Sequence, residues 1–384
     1  MKILVLTNSI SKKNGGVLDA VKDLFQNDAF IKHQVEIEIC SYNDEYSDED
    51  IRLWNIVKPK LFKPSIFLYS RKLRRHVLES DADILHLEGL WRYPHLLIDS
   101  WIRKTGKPAL CTPHGMLDPY IVKSQGSVKR IIADWFFDSH LRNLSCLNAL
   151  NEKEYEDIRT YGLKNPVAII PNGIYLPSSE IKKEIKDGKR HLLFLGRVHR
   201  KKGVDLLIQA VINIVRKNNG LMDNWVVDIV GWDHENCMAE LKTMVEKSQL
   251  TDRIIFHGGL FGEEKKRILS NSDVFILPSH GEGHPMSVLE AWSYKLPVII
   301  TDHCNTPEGF EANAAIHIDD NVASVEDGIT KVLKMPPSEL KQLGENGFKL
   351  VSEKFTWNQS ALKMIELYNW LLGKAEVPDF VRFD

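Results

Sequence analysis

The stretch Glu282-Gly-His-Pro-Met-Ser-Val-Leu-Glu290 decides the fold class through its position between two apolar segments. Val274-Phe-Ile-Leu-Pro278 precedes it, and Pro297-Val-Ile-Ile-Thr301 follows it. The glycines on either side of Glu282 predict a loop, and the residues after that loop predict a helix with Glu290 in its first turns. A strand, a Gly-rich loop, a helix and a second strand in this order are typical of a parallel α/β sheet.

The loop and helix start in this stretch favour the binding of an anion. The first N–H groups of a helix have no acceptor within the helix, and the helix dipole directs partial positive charge toward the loop. A carboxylate one or two turns into the helix can accept hydrogen bonds from sugar hydroxyl groups. The combination suits a nucleoside diphosphate with a ribose. The alternative is an ordinary Gly-rich loop followed by a glutamate that the helix dipole favours.

A second segment upstream has a similar arrangement: His191-Leu-Leu-Phe-Leu-Gly196-Arg197-Val-His-Arg-Lys201-Lys202-Gly203. An apolar strand ends at Gly196, and basic residues follow it. Ligands of α/β sheets bind outside the carboxyl ends of the strands, where Arg197 and Lys202 would offer a planar fork and a compact charge to phosphate oxygens. The alternative is a solvated basic turn. The next segment predicts a helix with four apolar residues on one face: Val204, Leu207, Ile208 and Val211.

Together the two segments resemble the retaining GT-B glycosyltransferases of family 4. That family combines Gly-Arg, Lys-Gly and Glu-x7-Glu, which occur here as Gly196-Arg197, Lys202-Gly203 and Glu282…Glu290. The resemblance covers nearly the whole chain, because further motifs follow in the family's order. These are Ile3-Leu-Val-Leu-Thr7 before Asn14-Gly15-Gly16, then Thr112-Pro-His114-Gly115-Met116, then Pro171-Asn172-Gly173-Ile174.

The resemblance implies an α/β fold of the GT-B type, with two Rossmann-like parallel-sheet domains that face each other across a cleft. Strand and helix patterns alternate along the chain, in agreement with this fold. We expect an acceptor-binding domain at residues 1–175, completed by a C-terminal helix at 357–374. A nucleotide-sugar-binding domain would occupy residues 176–356 and begin with a Lys-rich linker at 176–190.

Short apolar segments predict the strands of both sheets. In the first domain they are residues 3–7, 35–40, 84–87, 109–112, 145–149 and 167–171. In the second domain they are residues 191–196, 225–231, 254–257, 274–278, 298–301 and 315–318.

The resemblance also implies a role for each residue of the motifs. Arg197 and Lys202 would neutralise the diphosphate and stabilise the charge that develops as the glycosidic bond breaks. Glu282 would hold sugar hydroxyl groups, and Glu290 would bind the ribose. His114 completes the expected catalytic set. The remaining donor-binding residues would be Gly15, Gly16, Gly283, His284, Pro285, Met286 and Ser287.

His114 follows an apolar strand, Ala109-Leu-Cys-Thr112, and lies between a proline and a glycine. Such neighbours fix the loop and allow a ligand to approach the backbone. By resemblance, the imidazole contacts the donor sugar across the cleft, although a lone histidine can also be a satisfied structural residue. Glu88 and Trp91 are expected on the acceptor side. Relatives often have a second histidine where this chain has Glu88.

No cofactor or metal is expected, because by resemblance the two cations do the work of a metal. Asp81-Ala82-Asp83 precedes a strand, whereas a metal-binding DxD should follow one. His280-Gly-Glu-Gly-His284 lacks the His-Glu-x-x-His order of zinc proteases. Asn14-Gly15-Gly16 is not the fingerprint of a nicotinamide-binding loop. We therefore expect a metal-independent reaction with retention of the anomeric configuration.

The composition indicates a soluble globular protein, with 43% hydrophobic and 27% charged residues among 384. The formal net charge of −2 gives no reason to expect a nucleic acid partner. Five dispersed cysteines without a Cys-x-x-Cys favour reduced thiols in the cytoplasm. The apolar segment at the N-terminus is too short for a signal peptide, and no apolar run approaches the roughly 18 residues of a transmembrane helix.

The basic segment Arg71-Lys-Leu-Arg74-Arg75 has two interpretations. It could be the outer face of a core helix. It could also make peripheral contact with anionic lipid through the N-terminal domain, at the inner face of a membrane.

The sequence thus predicts a hexosyltransferase-type enzyme that moves a sugar from a nucleotide-sugar donor to a saccharide or lipid-linked saccharide acceptor. The expected setting is biosynthesis of a bacterial cell-surface polysaccharide. The alternatives are a sugar-nucleotide epimerase or a sugar phosphorylase on the same fold, and a regulatory protein that binds a nucleotide sugar without catalysis. Product analysis with donor alone, and then with acceptor, separates them.

Overall fold

The computed structural model describes residues 1–11, 16–64, 69–119, 122, 138–177, 188–233 and 236–383. They form two compact units, one of Met1–Gly173 with Trp357–Asp384 and the other of Ile174–Thr356. This division falls two residues before the expected boundary. Most of the expected linker, residues 178–187, lies outside the described residues.

Each unit contains its own sheet, and the strands are numbered in chain order. They are β1 (Lys2–Ser9), β2 (Glu36–Tyr42), β3 (Lys60–Phe62), β4 (Ile84–Glu88), β5 (Ala109–Thr112), β6 (Cys146–Ala149), β7 (Val167–Ile169), β8 (Arg190–Leu195), β9 (Trp225–Val230), β10 (Ile254–Gly258), β11 (Val274–Leu277), β12 (Val298–Ile300), β13 (Ala315–His317) and β14 (Val381–Arg382).

The α-helices of the described residues are numbered in the same way. They are α1 (Gly16–Phe25), α2 (Asp28–Lys32), α3 (Ser47–Asp50), α4 (Arg71–Glu79), α5 (Leu97–Thr105), α6 (Asp138–Arg142), α7 (Glu152–Thr160), α8 (Val204–Lys217), α9 (Cys237–Lys247), α10 (Gly262–Asn271), α11 (Met286–Ser293), α12 (Glu308–Glu311), α13 (Val322–Lys334), α14 (Pro337–Lys354) and α15 (Trp357–Leu371).

The sheet of the first unit has the strand order β14-β7-β6-β5-β4-β1-β2-β3. Its strands are parallel apart from β14, which runs antiparallel to β7. The central strand β1 is buried on both faces at residues 3–6, as expected for a parallel sheet covered by helices. Strands β4, β5 and β6 are neighbours, so their last residues, Glu88, Thr112 and Ala149, lie at one edge.

The sheet of the second unit has the strand order β10-β9-β8-β11-β12-β13 and is parallel throughout. Strands β8 and β11 lie next to each other in the middle. The loops that follow Leu195 and Leu277 therefore emerge side by side at the carboxyl edge, which is where ligands of parallel sheets bind. Two sheets of this kind confirm the predicted α/β class.

The terminal helix α15 belongs to the first unit and packs on α1 and α2. It buries Trp357, Met364 and Tyr368. The Oγ of Ser360 donates to the carbonyl of Pro171 at 2.7 Å. The helix ends at Leu371, three residues before its predicted end. Its first turns line a recess together with Glu88 and Thr112, at the carboxyl edge of the first sheet.

Candidate functional site

The basic turn after β8 is held against the loop after β11 by the backbone. Gly203 has a φ of +67°, and a Cβ at this position would lie 2.0 Å from the carbonyl oxygen of Pro278. Only glycine fits such a close approach. The N–H of His280 donates to the carbonyl of Lys201 at 2.8 Å. Lys202 ends the short 3₁₀ turn that precedes Gly203, so its position relative to the neighbouring loop is fixed.

This arrangement brings Lys202 onto Glu282. The Lys202 Nζ donates to both carboxylate oxygens of Glu282, at 2.6 and 2.5 Å, and the two side chains are 17% and 7% exposed. The backbone of Glu282 is fixed too, since its N–H donates to the carbonyl of His303 and its own carbonyl accepts from Asn305. The two predicted site residues therefore form one ion-paired unit.

Arg197 follows the end of β8 on the segment that leads to Lys202, and its backbone is tied to β9. The N–H of Gly196 donates to the carbonyl of Val230, and that of Val198 to Trp232, both at 3.0 Å. The Arg197 side chain is exposed. Among the described residues it forms no hydrogen bond or ion pair. Its charge is therefore not compensated by any described neighbour and remains available to an anion.

The expected donor-binding loop leads into α11, whose N-terminus carries no side-chain cap and no acidic residue in its first turn. The partial positive charge of the helix start is therefore not offset locally. Glu290 lies in the second turn of α11 and accepts from Lys265 Nζ at 2.6 Å. The loop and the first residues of α11 contain Gly283, His284, Pro285, Met286 and Ser287.

Two exposed aromatic residues lie at the same edge of the second sheet. Trp232 follows the end of β9, and Phe261 follows the end of β10; their side chains are 52% and 68% exposed. The rings are stacked, with centroids 6.3 Å apart and planes 16° apart. No motif in the sequence predicted this pair. The sequence does show an aromatic residue shortly after each of two strand ends, which could have indicated it.

In the first unit, the carboxyl edge brings together Glu88 and His114. The His114 Nε2 lies 2.5 Å from Glu88 Oε2, and both side chains are almost entirely buried. His114 has a φ of +55°, in the left-handed region, and Gly115 follows at +75°. Left-handed backbone costs about 1 kcal/mol in a residue other than glycine. The turn must therefore be held in place by its surroundings.

Glu154 helps to fix the turn at His114 and Gly115. Its carboxylate accepts from the N–H of Gly115 at 2.5 Å and from the N–H of Leu150 at 2.7 Å. Helix α7 places it there, because Asn151 caps this helix by accepting from the N–H of Glu154. Glu154 was not predicted as a site residue, although Asn151-x-x-Glu154 resembles a capping box.

Electrostatics favour the charged form of His114. Burial lowers the pKa of His114, but its hydrogen bond to Glu88 and the charges of Glu88 and Glu154 raise that pKa above its ordinary value overall. Burial raises the pKa of Glu154, even though two backbone N–H groups stabilise its carboxylate. The turn thus holds an imidazole between two buried carboxyl groups.

A small recess, partly open to solvent, adjoins this pair within the first unit. The Oδ1 of Asn148 is buried in its wall, and no hydrogen-bond partner is found for it among the described residues. A buried polar atom of this kind indicates that a hydroxyl group or water binds there. The recess is lined by Ala20, Leu24, Glu88, Thr112, His114, Asn148, Leu150, Ile170, Pro171, Asn172, Trp357, Ser360 and Met364.

For the other residues predicted in the first unit, the structure gives a position but no direct contact with Glu88 or His114. Trp91 is half-buried and packs on Tyr161, with ring centroids 6.3 Å apart. The loop between Glu88 and Trp91 contacts the His114 turn, since the N–H of Leu90 lies 3.1 Å from the sulfur of Met116. Gly16 begins α1. Gly15 lies outside the described residues.

Asp81 and Asp83 lie before β4, at the opposite edge of the sheet from Glu88. Asp81 pairs with Lys2 Nζ at 2.6 Å, and Asp83 accepts from the backbone N–H of Lys2 at 2.9 Å. Both carboxylates therefore have structural partners near the amino end of the sheet.

One further grouping in the described part of the chain has metal-ligand atoms close together: Glu38, Cys40 and His76. Glu38 already pairs with Lys60 at 2.5 Å. Burial raises the pKa of the Cys40 thiol to about 12, which disfavours a thiolate ligand. The charges in this grouping fit an ion-pair network better than a metal site.

The basic segment forms α4, with Leu73 and Val77 buried. Its outer face exposes Arg71, Lys72, Arg74 and Arg75. Tyr69 precedes α4, is 41% exposed, and packs edge-on against Tyr93 with ring centroids 5.1 Å apart. Within the described ranges, every helix is too short or too polar to cross a bilayer.

Comparisons with known proteins find relatives in sequence and in fold. The chain is 32% identical to the amylovoran biosynthesis glycosyltransferase AmsK of Erwinia amylovora over 130 residues, which are 32% of this chain and 30% of AmsK. It is 25% identical to the O-antigen biosynthesis glycosyltransferase WclY of Escherichia coli over 98% of this chain and all of WclY. The structure of Anabaena HepE in complex with UDP has the same fold, with a TM-score of 0.76 and 15% identity over 96% of this chain and 100% of HepE.

Two family models cover both units. The model for glycosyltransferase family 4 matches residues 21–176, and the model for group 1 glycosyl transferases matches residues 178–350. The matched segments meet next to the division between the units. The first contains strands β2 to β7 of the first sheet, and the second contains every strand of the second sheet. The chain therefore belongs to the family 4, group 1 glycosyltransferases and has their GT-B fold.

Proposed function

We propose that this enzyme moves a sugar from a nucleotide-sugar donor to a saccharide or lipid-linked saccharide acceptor, during synthesis of a bacterial cell-surface polysaccharide. The observation that carries the proposal is the carboxyl edge of the second sheet. There Arg197, which pairs with no described residue, lies on the segment that leads to the Lys202–Glu282 pair, and the uncapped start of α11 follows in the same unit. Lys202 and Glu282 cancel each other's charge, so the net charge of the three groups favours an anion.

The proposed donor site divides into three parts along this edge. Arg197, Lys202 and the start of α11 bind the diphosphate. Glu290 accepts hydrogen bonds from the ribose, in exchange for part of its contact with Lys265. The exposed pair Trp232–Phe261 provides a face on which the base stacks, because every nucleobase has a π-face that an aromatic ring can cover.

In the proposed reaction, the bond between the anomeric carbon and the diphosphate breaks while Arg197 and Lys202 stabilise the charge of the departing phosphate. The acceptor hydroxyl attacks from the face that the nucleotide leaves and gives its proton to the departing phosphate, so the anomeric configuration is retained. The two cations act in place of a metal. His114 of the first unit donates a hydrogen bond to the sugar, and the raised pKa of its imidazole favours that donor form.

A lipid-linked acceptor would bring the first unit to the inner face of a membrane, and the exposed face of α4 suits such a surface. None of its four basic residues forms an ion pair with another described residue. Each basic residue near an anionic surface contributes about 1 kcal/mol of attraction. Tyr69 adds an amphipathic ring at the start of the helix.

The proposal is tested with a panel of nucleotide sugars. One donor should raise the melting temperature, since a ligand that binds only the folded state stabilises it, and the same donor should glycosylate an acceptor in excess EDTA. Stereochemical analysis of the product should show retention. A change of the donor sugar without acceptor would indicate an epimerase, and a requirement for inorganic phosphate would indicate a phosphorylase. No binding and no transfer with any donor would overturn the proposal.

A further inference from the structure

His86 connects the carboxyl edge of the first sheet to the terminal helix. It lies on β4 two residues before Glu88, so both side chains point to the same face, and it is completely buried. Its Nδ1 lies 2.7 Å from the hydroxyl of Tyr368 on α15. Its Nε2 lies 2.9 Å from Thr112 Oγ1 and 3.2 Å from Glu88 Oε1. These contacts continue through Glu88 to His114.

The hydrogen bonds of His86 go to two hydroxyl groups, with Nδ1 bonded to Tyr368 and Nε2 bonded to Thr112. Glu88 Oε1 lies within ion-pair distance of Nε2, at 3.2 Å. Burial lowers the pKa of His86, which favours its neutral form, so one ring nitrogen donates and the other accepts. The hydrogen bonds therefore run from Tyr368 through His86 to Thr112, and His86 lies directly beside Glu88.

Glu88 lies between the two histidines. His114 donates through Nε2 to Oε2, and the His86 Nε2 lies 3.2 Å from Oε1. The Glu88 side chain is 2% exposed. His114 therefore has its Nε2 committed to Glu88, and Nδ1 is the ring nitrogen left for a ligand in the recess that both residues line.

We propose that Glu88 is a positioning residue for His114: it fixes the ring through Nε2 and keeps it in the imidazolium form, so that Nδ1–H donates to an oxygen of the sugar. This inference rests on the proposed function. Glu154 positions the same turn through the backbone of Gly115, and Glu88 through the side chain. The pair Glu88–His114 carries no net charge, and so it suits a neutral sugar hydroxyl better than an acidic group.

The rate of sugar transfer should fall at high pH, as His114 loses its proton. Among the described residues, the titratable groups that interact with His114 are His86 and Glu88 from β4 and Glu154 from α7. Tyr368 from α15 and Cys111 from β5 interact with Glu88. An imidazolium donor is present at low pH and is lost as the pH rises through the pKa of His114. Because Glu88 raises that pKa, its removal should move the alkaline limb of the rate profile to lower pH.

The test is Glu88→Gln, which keeps the shape and removes the charge. Titration of labelled imidazole signals by NMR should show the pKa of His114 falling by about 1–3 units. The kcat should fall about 100-fold, the effect of a misplaced catalytic group, while the affinity for the nucleoside diphosphate stays the same. Asp99→Asn is the matched control, because Asp99 is another buried carboxylate of the first unit and bonds Asn143 and Arg103 instead. Asp99→Asn should change neither the pKa of His114 nor kcat.

An unchanged His114 titration in Glu88→Gln, or an unchanged pH profile, would overturn the proposal. Glu88→Asp keeps the charge but shortens the side chain, so the raised pKa should persist while kcat partly recovers relative to Glu88→Gln. If neither variant folds, the wild-type ¹⁵N spectrum decides, because a His114 ring without a proton on Nε2 contradicts the assignment. These titrations need no donor. A failure of the proposed transfer would appear separately, as a wild-type protein that is inactive with every nucleotide sugar.

Discussion

Lys202 and Glu282 are 80 residues apart in the chain, yet the Lys202 Nζ lies 2.5–2.6 Å from both carboxylate oxygens. Adjacent strands β8 and β11 bring them together, and the close approach of Gly203 to Pro278 fixes the distance. The pair neutralises itself, whereas the exposed Arg197 pairs with no described residue.

Arg197→Ala should lower turnover by roughly two to three orders of magnitude, the scale for loss of one preorganised group that stabilises charge. Its melting temperature should not change, because the side chain is exposed and has no partner among the described residues. Arg200→Ala is the matched control in the same turn; Arg200 is 78% exposed and pairs only with the exposed Glu240. Steady-state kinetics of both variants test the assignment, and equal losses in both would refute it.

Lys202→Met should weaken both binding and folding. It leaves the nearly buried carboxylate of Glu282 without its cation, and an unpaired buried group costs about 1–3 kcal/mol of unfolding free energy. Adding Glu282→Gln should restore much of the stability and none of the turnover, since the cation is still absent. Urea unfolding measures the first effect and kinetics the second. A double variant no more stable than Lys202→Met would show that the pair does not act as a unit.

Trp232→Ala and Phe261→Ala should each weaken the binding of a nucleoside diphosphate. Base stacking on an aromatic ring contributes about 1–3 kcal/mol, which is a factor of roughly 5 to 150 in Kd. Binding of ribose 5-phosphate, which lacks a base, should not change. Phe383→Ala removes a ring of similar exposure from the first unit and serves as the control. Calorimetric titration that shows equal nucleotide affinity in all three variants would exclude the stacking face.

The exposed face of α4 should bind anionic membranes. Vesicles that contain phosphatidylglycerol should sediment the wild-type protein at low salt and release it at high salt, because screening weakens surface charge attraction. Changing Arg71, Lys72, Arg74 and Arg75 to Gln should abolish sedimentation but leave transfer to a soluble acceptor intact. The same substitutions at Arg52, Lys58, Lys63 and Arg103, which are exposed on the same unit, are the charge-matched control. Equal sedimentation of both variants would rule out this surface.

The sequence predicted the buried strands well and missed two at the sheet edges. Strand β4 was expected at 84–87 and is observed at Ile84–Glu88, because residues buried on both faces leave a continuous apolar run. Strands β3 and β14 are short and partly polar, and lie at the two edges of the first sheet. Pairing with one neighbour stabilises such strands, and a local pattern does not record that pairing.

The candidate site shows the same difference between local patterns and long-range pairing. Four site residues each belong to a short motif at a strand end, and so the sequence predicted them individually: Arg197, Lys202, Glu282 and His114. The pairing of Lys202 with Glu282 and of Glu88 with His114 could not be predicted, because strand order decides which loops meet. Trp232 and Phe261 belong to no motif, and only the structure shows that their rings stack.

His114 should matter for transfer and not for nucleotide binding. Replacing it with Ala should leave the Kd of the nucleoside diphosphate nearly unchanged, because the groups proposed to bind the nucleotide are all in the second unit. The kcat should fall strongly, as expected for an interaction made mainly in the transition state.

In His114→Ala, loss of the imidazole ring could be confused with strain in the backbone turn, since position 114 has a φ of +55° and Ala adopts that conformation poorly. His114→Asn resolves them, because Asn tolerates left-handed backbone but cannot carry the imidazolium charge. Equal loss of kcat in both variants would assign the effect to the ring. Recovery in His114→Asn would assign it to the backbone turn, and a large loss of nucleotide affinity in either variant would show that His114 contacts the nucleotide itself.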